Sequence, residues 1–172
     1  SLSLLIVLAN KRKQSASAFL DLAFIGIVTG VLGARILFIA INFKYYRQFP
    51  MEALYVWKGG LVFYGGLLLA LPSCALYIWL RRMPFFPTLD IMAPALAIGH
   101  SIGRIGCLGA GCCHGSACEL PWAVRLNTDL VDPILRNVPV HPTQIYESLS
   151  LAALCAGLVY LLFKTKVPAG VV

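Results

Sequence analysis

Residues 89–108 read LDIMAPALAIGHSIGRIGCL, a run of 20 in which only Asp90, His100 and Arg104 carry or can take a charge near neutrality. About 20 apolar residues are what a helix needs to cross the hydrocarbon layer of a bilayer. Three further stretches have the same character, at about 17–42, 60–80 and 144–163, and SLSLLIVLA at 1–9 reads as part of another. The pattern predicts an all-α, polytopic transmembrane helix bundle of about five spans, the first of them partial.

The composition agrees. Hydrophobic residues make up 59% of the 172 residues and charged ones 12%, with a mean hydropathy of +0.82. A water-soluble domain carries about a quarter charged residues, so this chain lacks the polar surface to face water all round. Its net charge of +7 then reads as a signal of membrane topology, and no nucleic-acid partner is expected. The missing initiator Met and the short first apolar run lead us to expect a fragment that begins inside its first helix. With no basic region ahead of the run, a signal peptide is the weaker reading.

The short connections hold Lys11, Arg12 and Lys13, then Arg81 and Arg82, then Lys164 and Lys166. Lys and Arg gather in cytoplasmic loops, so these are expected inside. The mixed-charge connections, 43–59 and 109–143, are expected outside, with 109–140 forming a small outer head within one transmembrane domain. Thr88 is read as the cap of the fourth helix, with Asp90 in its first turn, and Pro142 as the first residue of the fifth. Gly26, Gly30 and Gly33, and Gly99, Gly103 and Gly106, form small-residue rows that allow close helix packing.

A charge inside a span is costly to keep and marks a function by default. Arg35 lies about 18 residues from the inner start of its helix, roughly 27 Å of travel. Arg104 lies about 15 residues into its own helix. Tyr64 opens the third helix, and His141, Gln144, Tyr146 and Glu147 open the fifth. All are expected at the depth of the outer headgroups. A lone arginine at a helix end more often snorkels than reacts. Two with Tyr, His and Glu at one depth point instead to a pocket for a phospholipid headgroup, because guanidinium binds phosphate oxygens in pairs. Glu147, His141 or Tyr64 would serve there as proton acceptor or donor.

Several short motifs then carry a resemblance. GRIGCLGAGCCHG (103–115) resembles the signature of the prolipoprotein diacylglyceryl transferases, a Gly-Arg-x-Gly core followed by Asn and a Gly-Glu pair. HPTQIYE (141–147), GARILF (33–38), YGGLLLA (64–70) and PWAV (121–124) are similar to other segments of that family and run in its order. The resemblance implies transfer of a diacylglyceryl group from phosphatidylglycerol to the lipobox cysteine of a prolipoprotein. A thioether forms and glycerol phosphate leaves, with no cofactor and no metal. It implies a multi-pass protein of the bacterial cytoplasmic membrane, working at the outer leaflet on membrane lipid and prolipoprotein signal peptides. Arg104 matches the signature arginine and would hold the phosphate. Arg35, Gln144, Tyr146 and Glu147 match polar positions around the same cavity. The departures are Tyr64 for a histidine, Cys107 for the signature asparagine and Cys112 for the signature glutamate. The family chain also continues into further helices with another arginine.

Cys107, Cys112, Cys113, His114 and Cys118 admit three readings. The spacing C-x4-C-C-H-x3-C is no standard zinc or iron–sulfur pattern, and adjacent Cys112 and Cys113 look awkward for one ion. Disulfides suit an oxidising face. Small, half-apolar wall residues beside a lipid pocket are the leading reading. Cys74 and Cys155 read as packing within spans. The rival functions are a membrane thiol–disulfide or metal-handling protein built on Cys107–Cys118, and a non-catalytic lipid-binding relative.

Overall fold

The computed structural model describes residues 2–12, 14–55, 57, 59–128, 131 and 133–164. Four of its helices are long and apolar enough to cross a membrane, as the hydropathy of 17–42, 60–80, 89–108 and 144–163 predicts. The architecture is that of an all-α, multi-pass membrane protein. The chain forms two compact units, Leu2–Phe85 and the residues from Phe86 onward.

In the first unit, α1 (Leu2–Lys11) packs on α2 (Ala16–Ile41), and α2 pairs with α4 (Phe63–Leu80). Leu5, Leu8, Phe19 and Leu22 are buried, whereas Phe24, Ile27 and Ile36 stay exposed, as lipid-facing side chains do. The glycine row of α2 has the packing role expected of it. A methyl group at Gly33 would run into the carbonyl oxygen of Gly65 on α4 and would sit 2.7 Å from Cβ of Leu69. One at Gly66 would sit 2.8 Å from the carbonyl of Gly30. The backbones touch because no side chain stands between them. At the opposite end of this hairpin, Asp21 accepts from the Tyr77 hydroxyl at 2.8 Å and pairs with Arg81 at 3.3 Å.

The connection between α2 and α4 is more ordered than the sequence suggests. It holds a short helix α3 (Phe43–Gln48) and a 3₁₀ turn (Pro50–Leu54). Gly59 and Gly60 take left-handed φ angles of 83° and 77°, which only glycine adopts at no cost. They delay the start of α4 to Phe63, three residues past the expected 60.

The second unit contains nearly all of α5 (Phe85–Ala110), a small head, and α6 (Thr143–Lys164). α5 starts four residues before the expected 89. Pro87 falls in its first turn, where a missing N–H costs nothing. Thr88 is therefore not the cap but a fully buried residue inside the helix, and Asp90 lies beyond the first turn. Pro142 precedes α6 instead of opening it, and its carbonyl accepts the N–H groups of Ile145 and Tyr146. The head carries a two-stranded antiparallel ribbon, β1 (Val124–Arg125) against β2 (Pro139–Val140), with Val124 opposite Val140. The row on α5 differs from that on α2: a methyl group at Gly103 or Gly106 would meet nothing within 4 Å, so these glycines leave an open face beside Arg104.

Candidate active site

In the first unit, Arg35 stands two turns before the end of α2, is 6% exposed, and spends its guanidinium on backbone. Nε donates to Ala53 O (2.9 Å), Nη1 to Gly59 O (2.8 Å) and Gly60 O (3.1 Å), and Nη2 to Glu52 O (2.7 Å) and Tyr55 O (3.4 Å). These five bonds match the five donors a guanidinium has. Phe38 and Tyr46 cover the group with ring centroids 5.7 and 5.4 Å from Cζ. The charge expected for a headgroup is thus engaged in holding the α2–α4 connection, and a phosphate would have to displace those carbonyls. Tyr64 lies in the first turn of α4, is 71% exposed, and meets Phe63 edge-on.

In the second unit, the residues expected from α5 and from 141–147 come together. Arg104 Nε lies 2.5 Å from Glu147 Oε2, with the arginine side chain 14% exposed and the glutamate 54%. The Nε–H does not aim along this contact, so the pair is an ionic contact and not an aligned hydrogen bond. Among the described residues, the two Nη groups of Arg104 have no hydrogen-bond acceptor. One turn before Arg104 on α5, Ser101 Oγ donates to O of Ser148, the neighbour of Glu147, at 2.8 Å and lies 3.0 Å from Ser148 Oγ. Both serines are buried. This polar contact fixes the register in which Arg104 meets Glu147. His100, one turn before Arg104, is exposed.

Beside the pair runs a second chain of polar groups. Trp122 Nε1 donates to the Tyr146 hydroxyl at 2.7 Å, and that oxygen lies 3.4 Å from His141 Nδ1, with the two rings edge to face. Because Tyr146 already accepts from the indole, its own proton is available to an unprotonated Nδ1. Trp122 and the Ser101–Ser148 contact are absent from the residues singled out by sequence. The indole donor in PWAV and the two hydroxyls within otherwise apolar helices are the signals that would have found them.

Gln144 is fully buried. Its Nε2 donates to Cys112 O at 2.7 Å, and its Oε1 has no partner among the described residues. Gln144 thus ties the head to α6 and presents no amide to an open surface. Neighbouring Thr143 donates to Cys113 O at 2.8 Å. Burial and the flanking thiols push the Cys112 thiol up to about 11, since each disfavours a thiolate there. All six cysteines are free, so the structure contains no disulfide of the kind expected as one reading.

The whole sequence, residues 1–172, matches the family profile described as prolipoprotein diacylglyceryl transferase. The chain is 34% identical over 141 residues to the phosphatidylglycerol–prolipoprotein diacylglyceryl transferase of Clostridium tetani, covering 82% of this chain and 55% of that protein. It is 31% identical to that of Finegoldia magna, covering 94% and 61%, and 35% identical to that of Polynucleobacter asymbioticus, covering 85% and 54%. The chain therefore spans little more than half the length of these relatives. The match over its full length, together with the motifs that meet at Arg104 and Glu147, shows that this chain belongs to the prolipoprotein diacylglyceryl transferase family.

Proposed function

We propose that the protein to which this chain belongs transfers the diacylglyceryl group of phosphatidylglycerol to the cysteine thiol of a prolipoprotein signal peptide. The names of the relatives support this donor and this acceptor class. The reaction takes place at the outer leaflet of the bacterial cytoplasmic membrane, a placement supported by the lysines and arginines of the short connections. The observation that carries the reading is Arg104, which meets Glu147 through Nε and has no acceptor on either Nη group among the described residues. A guanidinium anchored on one edge offers its other edge to a phosphate oxygen pair.

In the reaction the thiol sulfur attacks the glyceryl carbon that bears the phosphate ester. The S–C bond forms, the C–O bond breaks, and glycerol phosphate departs with the bonding electrons. Arg104 stabilises the charge that develops on that phosphate. The thiol must first lose its proton, and His141 is suited to accept it. Tyr146, fixed by Trp122, orients the imidazole. Glu147 keeps Arg104 in place.

The test is transfer of labelled diacylglyceryl from phosphatidylglycerol to a lipobox peptide by the full-length protein. Arg104→Lys keeps the charge and loses the paired hydrogen bonds, so activity falls on the order of a hundredfold. Near-normal activity would reduce Arg104 to a snorkelling anchor and end this reading.

A further inference from the structure

Cys107, Cys112 and Cys113 place their three sulfur atoms within 4.8 Å of one another. The end of α5 explains how. Gly111 takes a left-handed φ of 75°, its N–H bonds to Leu108 O at 3.1 Å, and the Cys112 N–H bonds to Cys107 O at 3.1 Å. This pair of bonds is a Schellman motif, whose two outer residues contact each other as the chain doubles back. Here those residues are Cys107 and Cys112. Adjacent side chains in extended backbone point to opposite faces, which is why a vicinal cysteine pair looks unfit for one ion. Cys113, however, takes a left-handed φ of 59°, a costly conformation for a residue with a Cβ. It turns the third sulfur back to the other two.

We propose that these three cysteines form a site for one thiophilic d10 metal ion, zinc(II) or copper(I). Three thiolates around an ion at about 2.3 Å would lie about 4 Å apart, so closure from the present spacing needs movements of less than an ångström. The ligand backbones are already fixed. Cys107 O is held by the Cys112 N–H, Cys112 O by buried Gln144 and Cys113 O by Thr143. Such outer contacts orient ligands before an ion arrives. A redox pair would need two sulfurs; three converge, and all are free. Soft thiolates select zinc and copper(I) over harder cations. Cys113 is exposed, which gives the ion a path in and leaves room for a solvent ligand on zinc. On binding, the thiols release their protons to solvent.

The experiment uses full-length protein, reduced and stripped of metal, titrated with Cd²⁺ as a spectroscopic stand-in. A thiolate-to-metal charge-transfer band should saturate at one equivalent, and Zn²⁺ and Cu(I), added separately, should displace it in proportion to their affinities. Cys113→Ser and Cys107→Ser should abolish the band, while Cys118→Ser and Cys155→Ser should keep it. Gln144→Ala should weaken binding about ten- to a hundredfold. Exposed Cys113 is the deciding position, and an unchanged melting curve of its metal-free serine variant separates ligand loss from unfolding. Absence of a saturable band in the wild type, or its persistence in Cys113→Ser, overturns the proposal. So does a disulfide among the three cysteines that re-forms after reduction.

Discussion

Gly33 of α2 and Gly65 of α4 lie backbone to backbone, so that a methyl group on either would strike the carbonyl oxygen of the other. Gly33→Ala and Gly65→Ala should each force the helices apart and destabilise the first unit by about 1–3 kcal/mol. Gly30→Ala, whose methyl would meet nothing within 4 Å, should cost no stability, alanine being the better helix former. Unfolding in a denaturing detergent series ranks the three. Equal stability of all three would show that the two backbones are not in contact.

Arg35→Lys should also fail, for a different reason. Lysine has three donors against five carbonyls, so at least two of these half-buried acceptors lose the bond that the guanidinium supplies. A loss of about 1–3 kcal/mol is expected. Limited proteolysis should then cut within 43–62 while α2 and α4 survive.

The Cys112 thiol carries a pH signature. Its ordinary value of 9.0 is raised to about 11, so the folded protein holds this proton more tightly than the unfolded chain. The resulting stability is complete below pH 9 and is lost as pH rises from 9 towards about 11. Alkylation of Cys112 in the native, metal-free protein should climb across that interval, followed by peptide mass analysis. Full alkylation at pH 8, at the rate of an unfolded cysteine, would contradict the raised value.

Reporter fusions test the topology. Fusions at 14–16 and 81–84 should report the cytoplasm, and fusions within 116–128 should report the opposite side. A cytoplasmic signal from the head would place Arg104 on the wrong leaflet for the proposed reaction.

The spans were legible because hydropathy is an additive property of a window, and the four long helices follow it closely. Boundaries were less so. Gly59 and Gly60 shorten α4 through backbone conformation, and Pro87 lengthens α5 by being harmless in a first turn. That Arg104 and Glu147 come to one place was legible from two motifs; that they pair was not, and a buried serine contact aligns them. The engagement of Arg35 was not legible either, because its partners are carbonyls, which every residue has and no sequence pattern marks. Two similar glycine rows gave opposite results, since spacing shows that a face is small and not what covers it. The convergence of the three cysteines was not legible for a local reason: a C-x4-C pair across a helix end meets only when the intervening glycine turns the chain back.

The five carbonyls around Arg35 lie 17 to 25 residues downstream of it. A ribosome therefore completes α2, guanidinium included, before any of them exists. At about 5–20 residues per second the wait lasts one to a few seconds. The last carbonyl, that of Gly60, is made before the first residue of α4, so every acceptor of the charge precedes the helix that completes the hairpin.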